Sequence, residues 1–223
     1  MCTCEIRMMR IILKCFIALT LWIAGATVRA ALTNNMFNIR HIGYAEGLSS
    51  QRVFSIVEDN HGAMWIATKT GIDRYNGHII KSYTLPGNFY YGDLAGRKLG
   101  LLYHEKYALS AYDHTGRVYH YSIENDCFEQ YLYLGEFITG EIILNKLYLD
   151  HEGTFWFGLN KGLYKNDADN RVIPVVQQKY VNDIVAVEKT LFIGTSTGVL
   201  QLSYSNLDKP RQLLGGHDVQ TLL

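Results

Sequence analysis

Two sets of residues have types and spacing that could carry chemistry. Asp59, Gly62 and Trp65 precede Gly71 and Tyr75, and Asp150, Gly153 and Trp156 precede Gly162 and Tyr164. A carboxylate beside a glycine turn and an indole could act as a general acid or base, or help to hold a cation. Carboxylate-pair chemistry of the glycosidase or lyase kind needs two such groups facing each other across a pocket, a distance that spacing along the chain does not supply. The run Asp-Asn-His-Gly at 59–62 does not continue into a calcium loop of the EF-hand type. His41, His61, His78, His104, His114, His120, His151 and His217 are scattered without a metal-ligand spacing. No Gly-x-Ser-x-Gly elbow or phosphate loop is present. Neither a metal nor a cofactor is expected. The repetition of the set favours an architectural reading, with the aspartates capping turns through backbone hydrogen bonds and the indoles packing between units.

The elements around these residues are short strands. From residue 48 to 85 the chain alternates apolar strands with turn residues at 59–62, 69–71 and the hairpin signal Asn76-Gly77. Four antiparallel strands in such a stretch make one meander sheet. The pattern restarts over 99–133, where Leu109 or Ser110 stands in the place of the tryptophan. It is clearer over 142–176 and shorter over 181–212, where Phe192 precedes Gly198 by the same offset that Trp65 holds to Gly71. Units of roughly 40–45 residues with four strands each are the signature of propeller blades. The fold expected is therefore all-β, an incomplete β-propeller of about four blades, with 217–223 beginning the first strand of a fifth. On this reading the chain is a fragment of something longer. Residues 37–42 are expected to add a further short strand.

The first 30 residues are set apart from the fold. Arg7, Arg10 and Lys14 precede an apolar stretch from 16 to 26, and Val28-Arg29-Ala30 offers a small-residue cleavage site. This is the layout of a signal peptide, with an uncleaved anchor as the alternative, and it implies a periplasmic location. Cys2, Cys4 and Cys15 leave with it, so Cys127 stands alone and no intramolecular disulfide is possible in the mature chain. Removal of the leader turns a balanced 21 basic and 21 acidic residues into a small acidic excess. No basic stripe is left to attract a phosphate backbone, which excludes nucleic acid as a partner.

If strands run outward from the axis, the turns within each blade divide between two ends. The tight turns at 59–62 and 76–77 fall at one end, and the longer loops at 43–52, 86–98, 133–141 and 176–182 gather at the other. Ligands are more often met by long loops. Asn88, Phe89, Tyr90, Tyr91 and Asp93 form the leading candidate, since aromatic faces beside polar groups suit the C–H surfaces and hydroxyls of a carbohydrate. The bland alternative is that these aromatics simply pack over the blade. Arg52 and the group Tyr112, Asp113 and His114 are weaker candidates.

The string Gly47-Leu48-Ser49-Ser50, Val53-Phe54-Ser55-Ile56, Glu58-Asp59, Gly62, Trp65-Ile66-Ala67-Thr68, Gly71-Ile72 and Tyr75-Asn76 resembles the two-component regulator propeller repeat. Asp150, Gly153, Trp156-Phe157-Gly158 and Gly162-Leu163-Tyr164 resemble a second copy. The resemblance implies the extracytoplasmic sensor of a membrane histidine kinase, of the kind that detects oligosaccharides. It implies as partners the remaining blades, the downstream sensor and kinase domains, and a homodimer of the parent receptor in the inner membrane. The chain itself has no kinase or regulator segment and is expected not to be an enzyme. A periplasmic propeller enzyme acting on polysaccharide, a lyase or glycosidase, is the alternative, and a protein-interaction scaffold is a third reading.

Overall fold

The structure is a computed structural model that describes residues 39–87, 99–106 and 108–222. The segment proposed as a leader, 1–30, lies outside the described residues, as do Asn88, Phe89, Tyr90, Tyr91 and Asp93.

Sixteen strands in four antiparallel sheets make up the described part of the unit 42–223. The first sheet consists of β1 (Val53–Glu58), β2 (Met64–Thr68), β3 (Gly71–Tyr75) and β4 (Ile80–Tyr83). The second holds β5 (Leu99–His104), β6 (Ala108–Asp113), β7 (Arg117–Ser122) and β8 (Cys127–Tyr133). The third holds β9 (Leu144–Leu149), β10 (Phe155–Leu159), β11 (Gly162–Asn166) and β12 (Val172–Gln177). The fourth holds β13 (Val181–Val187), β14 (Thr190–Thr195), β15 (Gly198–Ser203) and β16 (Asn206–Gly215). Within each sheet every strand pairs with its neighbours in sequence, which is the meander of a propeller blade. Among the described residues no helix is long and apolar enough to cross a membrane.

In blades 2 and 3 both faces of the middle strands are apolar because each of these blades is covered on both sides. Trp65, Ala67 and Ile72 of blade 1 pack against Leu99, Leu101, Leu109 and Phe128 of blade 2. Val118, Leu132 and Leu134 of blade 2 meet Leu144, Leu147, Phe155 and Phe157 of blade 3. Trp156, Leu163 and Val176 of blade 3 meet Val181, Ile184, Leu191 and Ile193 of blade 4. The core is thus a series of seams between sheets, the form taken when a single sheet cannot bury its own faces.

The third strands of blades 1, 3 and 4 begin with a glycine for a steric reason. Gly71, Gly162 and Gly198 have φ of 153°, 147° and 139°, and a Cβ at each would lie 2.4, 2.0 and 1.8 Å from the carbonyl oxygen of Tyr83, Val176 and Leu214. Each of these carbonyls belongs to the outermost strand, so the glycine is what lets that strand close onto its neighbour.

Two expectations need correction. Residues 39–42 of the strand expected over 37–42 are irregular and lead into a 3-10 turn at Tyr44–Glu46, where the Glu46 carboxylate accepts from Gly43 N at 2.7 Å. Glycines on both sides of that turn outweigh the weak alternation. The Asn76-Gly77 hairpin spans four residues rather than two. The Asn76 side-chain oxygen accepts from His78 N and Ile79 N at 3.1 and 2.9 Å, so an Asx turn replaces the tight connection.

The fourth blade carries the start of another strand position. Val219 N donates to Thr195 O at 3.0 Å, and Asn182 Nδ2 donates to Val219 O at 2.9 Å. Asn145 Nδ2 binds Val181 O in the same way one blade earlier, at 2.7 Å. Val219 and Leu222 sit over Gly194 as Val181 and Ile184 sit over Gly158. Residues 218–222 therefore lie where the innermost strand of a following blade begins.

Candidate functional site

The repeat residues form the same local structure in blades 1 and 3. Asp59 Oδ1 accepts from His61 N and Ala63 N at 2.9 and 3.0 Å, and Asp150 Oδ1 accepts from Glu152 N and Thr154 N at 3.0 and 2.9 Å. The other oxygen of each carboxylate accepts the indole N–H of Trp65 or Trp156, at 2.8 and 2.9 Å. Gly62 and Gly153 take φ of 76° and 92° at the fourth position of these turns, where glycine is the least strained residue. A cation lies over each indole, Arg74 at 5.2 Å and Lys165 at 5.6 Å from the ring centroid. Both oxygens of both aspartates are thus engaged, and the constellation that could have carried chemistry holds turns and seams. Burial would raise the Asp59 carboxyl, but the hydrogen bonds from Trp65, Ala63 and His61 and the Arg74 charge outweigh it and hold the pKa below the usual value.

Tyr75 is buried in blade 1 with its hydroxyl donating to Gly77 O at 2.7 Å, and Tyr164 packs against the seam between blades 2 and 3. Phe192, expected to pack between blades, is half-buried and stands outside the blade 3–4 cluster. It lies on the face of blade 4 that points away from blade 3, in register with Gln201 rather than with a cation.

The weaker ligand candidates lie on and around the turn between β6 and β7 and at the start of β1. Tyr112 belongs to β6, with its ring across Gly100, where a Cβ would lie 2.2 Å from the ring. Burial pushes its hydroxyl pKa up, next to the Leu147 backbone and the Asp183 charge. Asp113 is 1% exposed, and its Oδ1 accepts from Thr115 N, Thr115 Oγ1 and Arg117 N at 2.9, 2.6 and 3.1 Å. It caps the turn instead of presenting a carboxylate to a ligand. His114 is half-buried in that turn, and its carbonyl accepts from Leu144 N at 2.8 Å. Arg52 is exposed, with its guanidinium 5.5 Å from the Phe54 ring, and remains available at the loop end.

Two features escaped the sequence reading. At the outer rim of the blade 1–2 seam, Asp126 accepts from the Tyr83 and Tyr121 hydroxyls at 2.8 and 2.6 Å and pairs with Lys81. Lys81, Tyr121 and Tyr83 together hold its carboxyl well below the usual range. Nothing in the spacing of a lysine on β4 and an aspartate on a turn of the next blade marks them as partners. At the tight-turn end, a cleft of about 510 Å3 opens between blades 1 and 2, lined by Glu58, Asp59, Asn60, Tyr103, His104 and Glu105. The only signal for it in the sequence is that blade 2 has no Asp-x-x-Gly turn between its first two strands. Among the described residues no group of histidine, cysteine, aspartate or glutamate side chains is placed to hold a metal ion.

These sheets and seams define part of a β-propeller. Residues 47–70 match the family model described as two component regulator propeller, the segment that contains the complete turn of blade 1. The fold is similar to the extracellular domain of the hybrid two component system BT3049 from B. thetaiotaomicron, with a TM-score of 0.62 and 20% identity. That match covers 82% of this chain and 27% of the other, so the chain spans about a quarter of that domain. PorZ, a surface component of the type-IX secretion system of Porphyromonas gingivalis, is similar with a TM-score of 0.59 and 17% identity, over 79% of this chain and 30% of that one. Virginiamycin B lyase from Staphylococcus aureus is similar with a TM-score of 0.55 and 12% identity, over 72% of this chain and 55% of that one. No curated protein matches the chain in sequence.

Proposed function

We propose that this chain is part of the periplasmic sensor propeller of a two-component signal-transduction receptor, and that the intact receptor recognises an oligosaccharide. The observation that carries the reading is the match of residues 47–70 to the two component regulator propeller, on a blade whose turn and indole geometry recur in blade 3. The similarity in fold to the extracellular domain of a hybrid two component system supports it. The leader-like residues 1–30 support export across the inner membrane. In this reading the chain works by binding. The remaining blades and the kinase are its partners, and the parent receptor signals as a homodimer.

The carboxylates at 59 and 150 weigh against the enzyme alternative, since turn amides and indoles occupy both oxygens of each. The test is calorimetric titration of the protein with a panel of neutral and acidic oligosaccharides, with chromatography of each mixture after long incubation. Saturable binding without new products is expected. Product formation would replace the sensor by a lyase or glycosidase. If no sugar binds but a protein partner is retained, the scaffold reading takes its place.

A further inference from the structure

The seam between blades 2 and 3 is built differently from the other two. In blades 1 and 3 the second strand carries tryptophan and the third strand places a cation opposite it, in the register pairs Trp65 with Arg74 and Trp156 with Lys165. The corresponding pair in blade 2 is Ser110 with His120. Ser110 thus stands at the tryptophan position and His120 at that of the cation. The imidazole Nδ1 lies 2.9 Å from Ser110 Oγ, and its ring lies 4.2 Å from that of Tyr131 and 5.7 Å from that of Phe155 across the seam.

We propose that His120 makes the blade 2–3 seam acid-sensitive, so that the seam loosens when the imidazole takes up a proton. The half-buried ring has Ser110 as a polar partner and the Tyr131 and Phe155 rings as neighbours. Protonation places a charge beside these aromatic groups, where half-burial limits its hydration. Burial alone accounts for the lowered pKa of this histidine. The ionisable groups on the elements around it do not replace that hydration. Glu129, opposite His120 on β8, accepts from Asn125 Nδ2 at 2.8 Å, and the Tyr131 hydroxyl donates to Asn170 at 2.8 Å. Asp167, in the turn that holds Asn170, accepts from the backbone of Asp169 and Arg171. Ser110 on β6 and Phe155 on β10 bring no charge.

The sign follows from the direction of the shift. A histidine whose folded pKa lies below the unfolded value of about 6.5 stabilises fully above that pH and loses its contribution as the pH falls toward the folded value. Each unit of depression makes the acid form about tenfold less favourable relative to the unfolded chain. Blades 1–2 and blades 3–4, each joined by a tryptophan clamp, would then separate more readily at this seam than at their own.

The test uses the full chain. Its histidine resonances are followed by NMR from pH 8 to pH 4.5, and thermal midpoints are measured over the range where the protein stays folded. His120→Gln, which keeps a polar partner for Ser110 but does not titrate, is compared with wild type, and the exposed His151→Gln serves as control. The expected result is a His120 pKa below 6.5, and a fall in midpoint between pH 7.5 and pH 5 that His120→Gln reduces and His151→Gln does not. A His120 pKa at or above 6.5, or parallel profiles for wild type and His120→Gln, would overturn the proposal. If His120→Gln does not fold, the wild-type titration still decides.

Discussion

Asp150 and Trp156 act as one clamp. The carboxylate caps the turn before β10 with one oxygen and accepts the buried indole N–H with the other, at 2.9 Å. The same side chain thereby sets the turn and fixes the orientation of the largest ring in the blade 3–4 seam. Asp59 and Trp65 repeat the arrangement at the blade 1–2 seam.

Asp150→Ala should leave the Trp156 N–H buried and unsatisfied along with two turn amides, a loss of about 2–4 kcal/mol. Trp156→Ala should lose about 3–5 kcal/mol through the cavity it leaves. Because the two residues share one interaction, the double variant should lose less than the sum. Urea unfolding of the four proteins checks this, and strict additivity would show that the clamp is not a unit.

The glycines that open the third strands should be less replaceable than glycines in open turns. Gly162→Ala would place Cβ on the Val176 carbonyl, and about 3 kcal/mol or more should be lost as overpacking adds to backbone strain. Gly77, with φ of 94° and nothing within 4 Å of its Cβ position, should lose only the strain, about 1–2 kcal/mol, when changed to alanine. Equal midpoints for the two variants in denaturant titration would refute the close-approach explanation.

Acid should destabilise the protein a second time, below the range in which His120 titrates. Asp59 and Asp126 both have lowered pKa values, so their contributions are present above the ordinary carboxylate value of about 3.9 and are lost as pH falls through the folded values. Asp126→Asn should flatten the stability profile below pH 4 while changing little near neutrality beyond a modest constant offset, since this group is solvent-exposed. Thermal midpoints from pH 5 to pH 2 measure it. An unchanged acid limb would mean that Asp126 contributes nothing to the seam.

For the proposed ligand, Tyr90 and Tyr91 of the sequence-expected loop 86–98 provide the local test. Changing both to alanine in the intact receptor should weaken oligosaccharide binding by about tenfold or more, roughly 1.4 kcal/mol. Arg52→Ala probes the same end and should weaken binding less, since it removes a charge rather than a platform. Unchanged affinity in calorimetry with the tyrosine variant would remove that loop from the site. The cleft between Glu58 and Glu105 would then be the next place to search.

The blade architecture was legible in the sequence because its signals are local. A strand, an Asp-x-x-Gly turn, an indole and a glycine at constant offset each fall within one blade, and repetition confirms a pattern that one copy would leave ambiguous. The turn-capping role of Asp59 and Asp150 follows from the same short range, as does the start of another strand position at Val219. What only the tertiary structure decided lies across the seams. The Lys81–Asp126 pairing, the packing of His120 beside Phe155 and the cleft between blades 1 and 2 all join residues whose separation is set by how sheets stack. Asp113 reads as a ligand candidate until its turn is seen to use the carboxylate. The sequence by itself determined the repeating sheet, because backbone pairing and turn chemistry act between near neighbours. Burial and partnership were decided by the stack, because they depend on what the adjoining blade places opposite each side chain.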